Sequence, residues 1–233
     1  MLKKYKWTLL TAGFMILLPM AVGLFLWNKL PDMIPTHFGL DNEINGWSSK
    51  PMAVFGMPLI MLAMEFVCAF LTNADPKRKN INDKLMRTIL WIIPIISLVT
   101  CLSCYAVALG RPIDIGMVMN IILGIVFIIM GNYMHKIKQN YTVGIKIPWT
   151  LNSEENWNRT HRLGAWLFML GGIIFIVNAF FKSEWVLIAF LIAVGVIPMG
   201  YSYILYIFCK TPERNPGRRS LSGVFMSGKS SVI

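Results

Sequence analysis

The chain has 233 residues, of which 56% are hydrophobic and only 14% are charged, and its formal net charge is +11. A soluble globular domain carries about 25% charged residues, so this composition excludes a chain that covers its own surface in water. The apolar residues fall into runs long enough to cross a bilayer, whose hydrocarbon core of roughly 30 Å takes about 20 helical residues.

Six apolar runs predict six transmembrane helices, at 7–28, 51–72, 86–109, 115–134, 162–181 and 185–208. A span in hydrocarbon has to satisfy its own backbone hydrogen bonds, which favours helices over strands. The first run is longer than the roughly 7–15 residues of a signal-peptide core and is predicted to be a retained helix. The predicted fold is all-α, a polytopic membrane protein.

The spans and loops suggest three regions. The first is an amino-terminal membrane region at 1–84, with two helices and an outer loop. The second is a membrane region at 85–209, with four helices and one long polar loop. A basic flexible tail is predicted at 210–233.

The basic residues fall mainly on one side of the predicted spans. Eighteen of the 22 lysines and arginines lie at the amino terminus, at the carboxyl terminus, or in the loops on the same side as these termini. Because cytoplasmic loops are enriched in Lys and Arg, we expect both termini in the cytoplasm. The positive charge is then a topological signal, and with no basic face on a soluble domain no direct nucleic-acid binding is predicted.

The main outer loop, residues 30–50, allows two interpretations. One is a surface that meets an extracellular peptide, and the other is an interfacial loop whose apolar side chains lie on the lipid. Asn45–Gly46 predicts a turn before Trp47, and His37 is interpreted as a hydrogen-bonded structural residue. The candidate residues of this loop are Pro31, Pro35, His37, Phe38 and Trp47.

Few polar residues lie inside the predicted spans. Glu65 is the one acidic residue there, and a carboxylate in hydrocarbon has to be protonated, paired or used in transport. Arg87 is a candidate ion-pair partner, and a proton or ion pathway is the alternative. Asn120 and Asn178 are predicted to form interhelical hydrogen bonds. The Cys101–Cys104 spacing is interpreted as helix packing.

The stretch GIKIPWTLNSEENWNRTHR, at 144–162, is the longest loop between spans on the predicted cytoplasmic side. Pro148 disfavours helix at the residue before it. Ser153 is a good N-cap, and Glu154 and Glu155 would lie in the positive first turn of a helix. Trp157, Thr160, His161 and Gly164 then share one helical face. The fifth span is therefore predicted to begin about two turns early.

Two interpretations of this loop remain open. Its tryptophans and basic residues suit an interfacial connector at headgroup depth. Its proline and glycine, which fix the backbone, also suit a preorganised patch that docks a protein segment or an anionic group. That patch would present Lys146, Trp149, Thr150, Trp157, His161 and Arg162.

Motifs for catalysis are missing from the sequence. It contains no H-E-x-x-H, G-x-S-x-G, Walker or Rossmann glycine pattern. His135 and His161 share the cytoplasmic side with Glu154 and Glu155, without the spacing of a metal site. No enzymatic activity, metal or cofactor is therefore predicted.

The segment GIKIPWTLNSEENWNRTHRLGAWLF, with GNYMHKIKQNY before it, resembles the hallmark of the SdpI family of bacterial membrane immunity proteins. LPDMIPTHFGLDNEINGW is similar to the amino-terminal region that often accompanies it. The resemblance implies a bacterial cell membrane location and protection against a secreted peptide toxin that attacks membranes. It also implies capture of a cytoplasmic repressor. The alternative is a small transporter or exporter that uses Glu65.

The positions that match the hallmark are Gly144, Pro148, Trp149, Thr150, Leu151, Ser153, Trp157, Thr160, His161 and Arg162. The chain departs from the expected pattern at two positions. Lys146 stands where arginine is expected, and lysine cannot form a bidentate fork with an anion. Ile147 stands where threonine is expected. The resemblance implies that this segment binds a partner.

Overall fold

The computed structural model describes residues 4–39 and 41–210. Seven α-helices run through these ranges, and six of them are long and apolar enough to span a membrane. The helices are α1 (Lys6–Phe25), α2 (Met57–Ala74), α3 (Asp83–Ala108), α4 (Ile115–Met134), α5 (Pro148–Asn152), α6 (Glu154–Phe181) and α7 (Trp185–Lys210). A π-helical turn at Met52–Gly56 precedes α2 directly.

The six predicted spans agree with six of these helices, and α6 does begin two turns before residue 162. We call the end of the helices where α1 begins and α4 ends the basic end, and the opposite end the hairpin end. The predicted tail at 210–233 lies outside the described residues, apart from Lys210 at the end of α7.

The prediction of an all-α fold is wrong at the hairpin end. Residues Met33–Phe38 (β1) and Ile44–Ser49 (β2) form an antiparallel hairpin, so the fold is mostly helical. Prolines at 31 and 35 cannot donate helix hydrogen bonds. The two segments also contain isoleucine, threonine and tryptophan, which favour strands. The prediction of a turn at Asn45–Gly46 is also wrong, because both residues lie within β2 and the chain reverses before them, between β1 and β2.

The hairpin is anchored to α1, α2 and α3 by its apolar side. Ile34 is fully buried and packs with Val54 and Tyr105. Gly23 of α1 allows this packing, because a Cβ there would lie 2.7 Å from Val54 Cγ1. At the hairpin tip, Asn42 Oδ1 accepts a hydrogen bond of 2.7 Å from the backbone N–H of Gly116, in the first turn of α4.

Helices α4 and α6 pack with their backbones in close approach. A Cβ at Gly124 would lie 2.6 Å from the carbonyl oxygen of Gly172, and one at Gly131 would lie 2.8 Å from that of Ala165. Small residues at such positions let membrane helices pack by van der Waals contact. Asn178 of α6 donates to Oδ1 of Asn120 at 3.0 Å, which confirms the predicted interhelical bond.

A core at the basic end joins the first three helices to α4 and α6. It contains Tyr5, Leu85, Met134 and Trp157, all buried. Although the sequence suggested a regional boundary at 84–85, α3 packs on α1 and α2. This core positions the long loop between α4 and α6, because the loop crosses directly over it.

Candidate functional site

The basic-end loop, which we define as residues 135–153, connects α4 to α6 and includes the short helix α5. Its last residue, Ser153, caps α6 by accepting a hydrogen bond from the backbone N–H of Asn156 at 3.2 Å, as predicted. Ile147 has an extended backbone (φ −122°, ψ 158°) and Pro148 begins α5. The loop therefore has a defined path, which buried side chains hold in place.

His161 joins the loop to the first turns of α6. Its Nε2 atom accepts a hydrogen bond of 3.0 Å from the backbone N–H of Ile145, so Nε2 carries no proton. Nδ1 therefore carries the proton of the neutral ring and donates to the carbonyl of Trp157 at 2.8 Å. The ring also stacks on Trp157, with centroids 3.9 Å apart and an interplanar angle of 21°.

Gly144 is required where the loop passes over this ring. Its φ is +115°, a conformation that residues with a side chain rarely adopt. A Cβ at this position would collide with Nε2 of His161. The glycine thus lets the backbone approach the imidazole closely enough for the Ile145 hydrogen bond to form.

Thr150 closes the turn between residues 145 and 150. Its hydroxyl donates to the carbonyl of Ile145 at 2.8 Å and accepts from the N–H of Ile147 at 3.1 Å. Thr150 is completely buried. One hydroxyl therefore supplies hydrogen-bond partners to two backbone groups of an irregular segment, the carbonyl of Ile145 and the N–H of Ile147.

Trp157 binds the backbone near the start of the loop, on the side of the basic-end core. Its indole Nε1–H donates to the carbonyl of Ile137 at 2.7 Å, and the side chain is fully buried in the basic-end core. Trp157 and His161 are four residues apart and therefore lie on one face of α6. That face forms hydrogen bonds with the loop backbone at both Ile137 and Ile145.

Asp75, at the end of α2, binds the loop from the other side. Oδ2 accepts from the N–H of Tyr141 at 2.8 Å and from the hydroxyl of Thr142 at 2.7 Å, while Oδ1 accepts from the N–H of Lys77 at 2.7 Å. Desolvation by burial raises the pKa of this carboxyl, but the hydrogen bonds from Thr142, Lys77 and Tyr141 outweigh it and hold the pKa below its ordinary value.

Amide side chains within the loop complete the framework. Gln139 donates to the carbonyls of Thr150 and Leu151 at 2.9 and 2.8 Å. Asn140 is fully buried and accepts from the N–H groups of Thr142 and Val143 at 2.9 and 2.7 Å. Both amides lie in GNYMHKIKQNY, the stretch 131–141 that precedes the hallmark segment. Nothing in their spacing predicted that they would bind the loop backbone.

Contacts with α7 hold α5 and the start of α6. The ring of Trp149 lies 5.0 Å from that of Tyr203, measured between centroids. Asn156 donates to the carbonyl of Ser202 at 2.8 Å and accepts from its hydroxyl at 2.6 Å. Thr160 also donates to Asn156 Oδ1 at 3.1 Å. Asn156 was not among the predicted site residues, because its partner is 46 residues away in the sequence.

The structure changes the interpretation of the predicted patch. Among the patch residues and the other hallmark positions, four are buried and face the loop and core, namely Thr150, Trp157, Thr160 and His161. They cannot present a docking surface, because loop backbone and core side chains cover them. Lys146, Pro148 and Arg162 are exposed, Trp149 is half-buried, and Gly144 and Ser153 are partly covered.

The candidate residues of the outer loop also divide into buried residues and exposed residues. Pro35 is buried and Phe38 packs against the core under the hairpin, so these two residues are structural. His37 is exposed and its Nδ1 lies 2.5 Å from Oδ1 of Asn45, in accord with the predicted structural hydrogen bond. Trp47 is 54% exposed, and Pro31 is exposed.

Glu65 is buried within the helices. Its side chain is 2% exposed, and Oε1 has no hydrogen-bond partner among the residues that the structure describes. No ion pair connects Glu65 to Arg87 in the ranges 4–39 and 41–210, so the suggested pairing is not formed. Arg87 is exposed and borders a groove between α3 and α4.

Groups of at least three His, Cys, Asp or Glu side chains that could hold a metal ion are absent from the described ranges. The side chains of Cys101 and Cys104 are buried among apolar neighbours. In the basic-end loop, the side chains of Gln139, Asn140 and Thr150 form hydrogen bonds with the loop backbone, and these bonds fix its shape.

Comparison with known proteins gives two family matches. Residues 136–202, which include most of the basic-end loop together with α6, match the SdpI/YfhL protein family. The resemblance to the SdpI family is confirmed. Residues 14–62, with the hairpin at their centre, match a domain of unknown function, DUF1648.

A curated relative of the SdpI family matches most of the chain. The Immunity protein SdpI of Bacillus subtilis (strain 168) is 28% identical over 180 residues, covering 77% of this chain and 84% of the relative. No solved structure matches the chain. Together with the six membrane-spanning helices, the similarity identifies a multi-pass membrane protein.

Proposed function

We propose that this protein is a membrane immunity protein that protects its cell from a secreted peptide toxin acting on the membrane. The observation that carries the proposal is that the SdpI-family match covers most of the basic-end loop and also the side chains that hold its backbone, among them Trp157 and His161. We call these buried side chains and their hydrogen bonds the framework of the loop. A connector between two spans needs no such framework, whereas a surface that recognises a partner benefits from a fixed backbone. The relative from Bacillus subtilis is itself named an immunity protein.

The basic end faces the cytoplasm in this proposal. Its support is the distribution of lysine and arginine, which favours cytoplasmic loops at that end. Asn152 is exposed at the end of α5, so Asn152→Cys offers a reporter of orientation. A membrane-impermeant maleimide should label this thiol only after the cells are opened. Labelling in intact cells would place the loop outside and contradict the orientation.

A cytoplasmic regulator docks on the exposed side of the basic-end loop. The exposed cations there are Lys136, Lys138, Lys146 and Arg162. Arg159 is excluded from this set because it is paired with Glu155 at 2.8 Å. Such a surface is complementary to an acidic protein segment. The buried residues Thr150, Trp157 and His161 contribute by fixing the loop on which these cations are carried.

The hairpin is the surface that meets the toxin in this proposal. It exposes apolar side chains at Met33, Ile44 and Trp47, which are 51%, 38% and 54% exposed. The relative orientation of β1 and β2 is fixed by backbone pairing and by the Thr36–Ser48 hydroxyl contact of 2.8 Å. An amphipathic peptide approaching from outside the cell would find an apolar surface here.

A survival assay tests the immunity function. Cells that express the protein and cells that lack it are challenged with a panel of secreted membrane-active peptides. Expression should raise survival against at least one peptide. Trp47→Ala should reduce the protection, whereas His37→Ala, at an exposed position on the neighbouring strand, should reduce it less. Equal survival with and without the protein across the panel contradicts the proposal.

Docking of the regulator needs a separate test. A photo-crosslinking amino acid at Lys146 of the full-length protein should capture a cytoplasmic protein, and it should do so more strongly in cells exposed to the protecting peptide. The same amino acid at Lys84, exposed on α3, is the control position. Capture that is equal at both positions, or absent at Lys146, contradicts docking at the loop.

A small transporter or exporter is the second candidate, and the buried carboxyl of Glu65 favours it. A buried carboxyl with an oxygen that lacks a hydrogen-bond partner in the described part of the chain suits a site that binds a proton or cation. Glu65→Gln should then abolish function, while substitutions at Lys146 and Trp149 should have little effect. The immunity proposal predicts the opposite ranking of these variants.

A further inference from the structure

A groove lies between α3 and α4 and is separate from the basic-end loop. Its volume is about 510 Å³. Polar groups at one part of it come from Arg87, Thr88, Asn132 and Tyr133. The remaining lining is apolar and consists of Trp91, Ile92, Ile95, Ile122, Ile125, Val126 and Ile129.

The polar and apolar parts occupy different depths. Arg87 lies in the first turns of α3, which begins at the basic end, and Asn132 lies in the last turn of α4, which ends there. The polar groups of both helices therefore share the basic end. The apolar lining continues from Ile129 to Ile122, about 10 Å toward the membrane centre at 1.5 Å per residue.

The polar part of the groove is cationic. Arg87 is exposed and forms no ion pair among the residues described. The nearby acid Asp83 is engaged by Lys4, at 2.6 Å, and by the hydroxyl of Tyr5, at 2.6 Å. The ammonium of Lys136 lies 5.9 Å from the centroid of the Tyr133 ring, which borders the groove. The groove thus combines positive charge at headgroup depth with an apolar channel below it.

We propose that this groove binds an anionic phospholipid, with its phosphate on Arg87 and an acyl chain along Trp91 and Ile95. A guanidinium can donate two parallel hydrogen bonds to a phosphate, and Asn132 supplies a further donor at the same depth. A soluble partner could not fill the apolar part inside the bilayer.

Trp91 makes the proposal measurable, because its ring lines the apolar part of the groove. The full-length protein is reconstituted in phosphatidylcholine vesicles that contain an equal mole fraction of either bromine-labelled phosphatidylglycerol or bromine-labelled phosphatidylcholine. Bromine in the acyl chain quenches nearby tryptophan fluorescence. The difference between the wild type and Trp91→Phe isolates the signal of Trp91 from the other seven tryptophans.

Quenching of Trp91 should be stronger with labelled phosphatidylglycerol, and titration of the labelled lipid should give an apparent affinity about fivefold higher than for labelled phosphatidylcholine, as expected for one arginine at an anionic headgroup. Arg87→Gln should bring the ratio between the two lipids close to one. Lys84→Gln, three residues earlier on α3 and outside the groove lining, should leave the ratio unchanged.

Ile125→Phe supplies a second test, because the larger side chain fills the apolar part without touching the cation. It should reduce the quenching of Trp91 by both labelled lipids. Equal quenching by both lipids in the wild type overturns the proposal, as does a preference that survives Arg87→Gln. Full quenching in Ile125→Phe would overturn the placement of the acyl chain.

Discussion

Gly144→Ala is the substitution that tests the basic-end framework most sharply. The added Cβ meets Nε2 of His161, and φ of +115° is unfavourable for alanine. Backbone strain of this kind costs about 1–3 kcal/mol. Displacing the imidazole leaves the N–H of Ile145 without its acceptor, which costs about another 1–3 kcal/mol. We expect a total loss of about 4 kcal/mol in the free energy of unfolding.

Gly110→Ala is the matched control for this prediction. Gly110 also has a positive φ, of +76°, but no described atom lies within 4 Å of the position that a Cβ would occupy. This variant therefore carries the backbone strain alone, about 1–2 kcal/mol. The difference between the two variants reports the collision with His161 together with the loss of the hydrogen bond between Ile145 and His161.

Two measurements test this prediction, one of the stability of each variant and one of the exchange of the Ile145 amide. Unfolding by sodium dodecyl sulfate in mixed micelles reports the free-energy difference between the two variants, which we expect to be about 2 kcal/mol. Hydrogen exchange reports the Ile145 amide, which should lose protection in Gly144→Ala and keep it in Gly110→Ala. The reasoning is refuted if both variants lose equal stability and the Ile145 amide exchanges at the wild-type rate in each.

Three further predictions follow from the same framework and from the helix packing. Trp157→Phe removes the donor to the carbonyl of Ile137 and should cost about 1–2 kcal/mol in SDS unfolding; an equal loss from Trp166→Phe, at a 60% exposed position, would argue against this. Gly172→Ala should destabilise the α4–α6 pair, since its Cβ would lie 2.5 Å from the carbonyl oxygen of Gly124. Gly195→Ala, whose Cβ would have no described atom within 4 Å, should unfold like the wild type. Asp75→Asn should destabilise the protein at neutral pH, and the gap between its unfolding curve and that of the wild type should narrow on acidification. The pKa of Asp75 is below its ordinary value of 3.8, so its contribution is present above that pH and is lost as the pH falls through the folded-state pKa; a gap that stays constant from pH 5 to well below about 3.8 would contradict this.

The membrane spans could be predicted from sequence because hydropathy over about 20 residues is a strong local signal. The N-cap at Ser153 and the early start of α6 were also readable, because both depend on residues within one or two turns. The interhelical bond of Asn178 followed from the scarcity of partners for an amide in hydrocarbon.

The roles of the loop residues could not be predicted from the sequence, because their partners are distant in the chain. Asp75 binds residues 66 and 67 positions later, and Asn156 binds Ser202. Trp157 and His161 looked like presented side chains, since one helical face can be turned toward a partner or toward the core with the same spacing. Only the position of the loop over the basic-end core decided between these alternatives.

The hairpin was missed for a different reason. The apolar content of the chain favours helices, and the sequence predicts an outer loop at residues 30–50 that includes Pro31 and Pro35. The run from Met33 to Phe38 nevertheless carried a local signal, because it combines β-branched and aromatic residues with a proline that disfavours helix.

The most direct measurement is survival under a membrane-active peptide of cells carrying wild type, Gly110→Ala or Gly144→Ala at equal levels in the membrane. If the framework beneath the basic-end loop supports immunity, wild type and Gly110→Ala should protect against the same peptide, and Gly144→Ala should not. Protection by Gly144→Ala equal to that of the wild type would contradict the link between the loop framework and immunity.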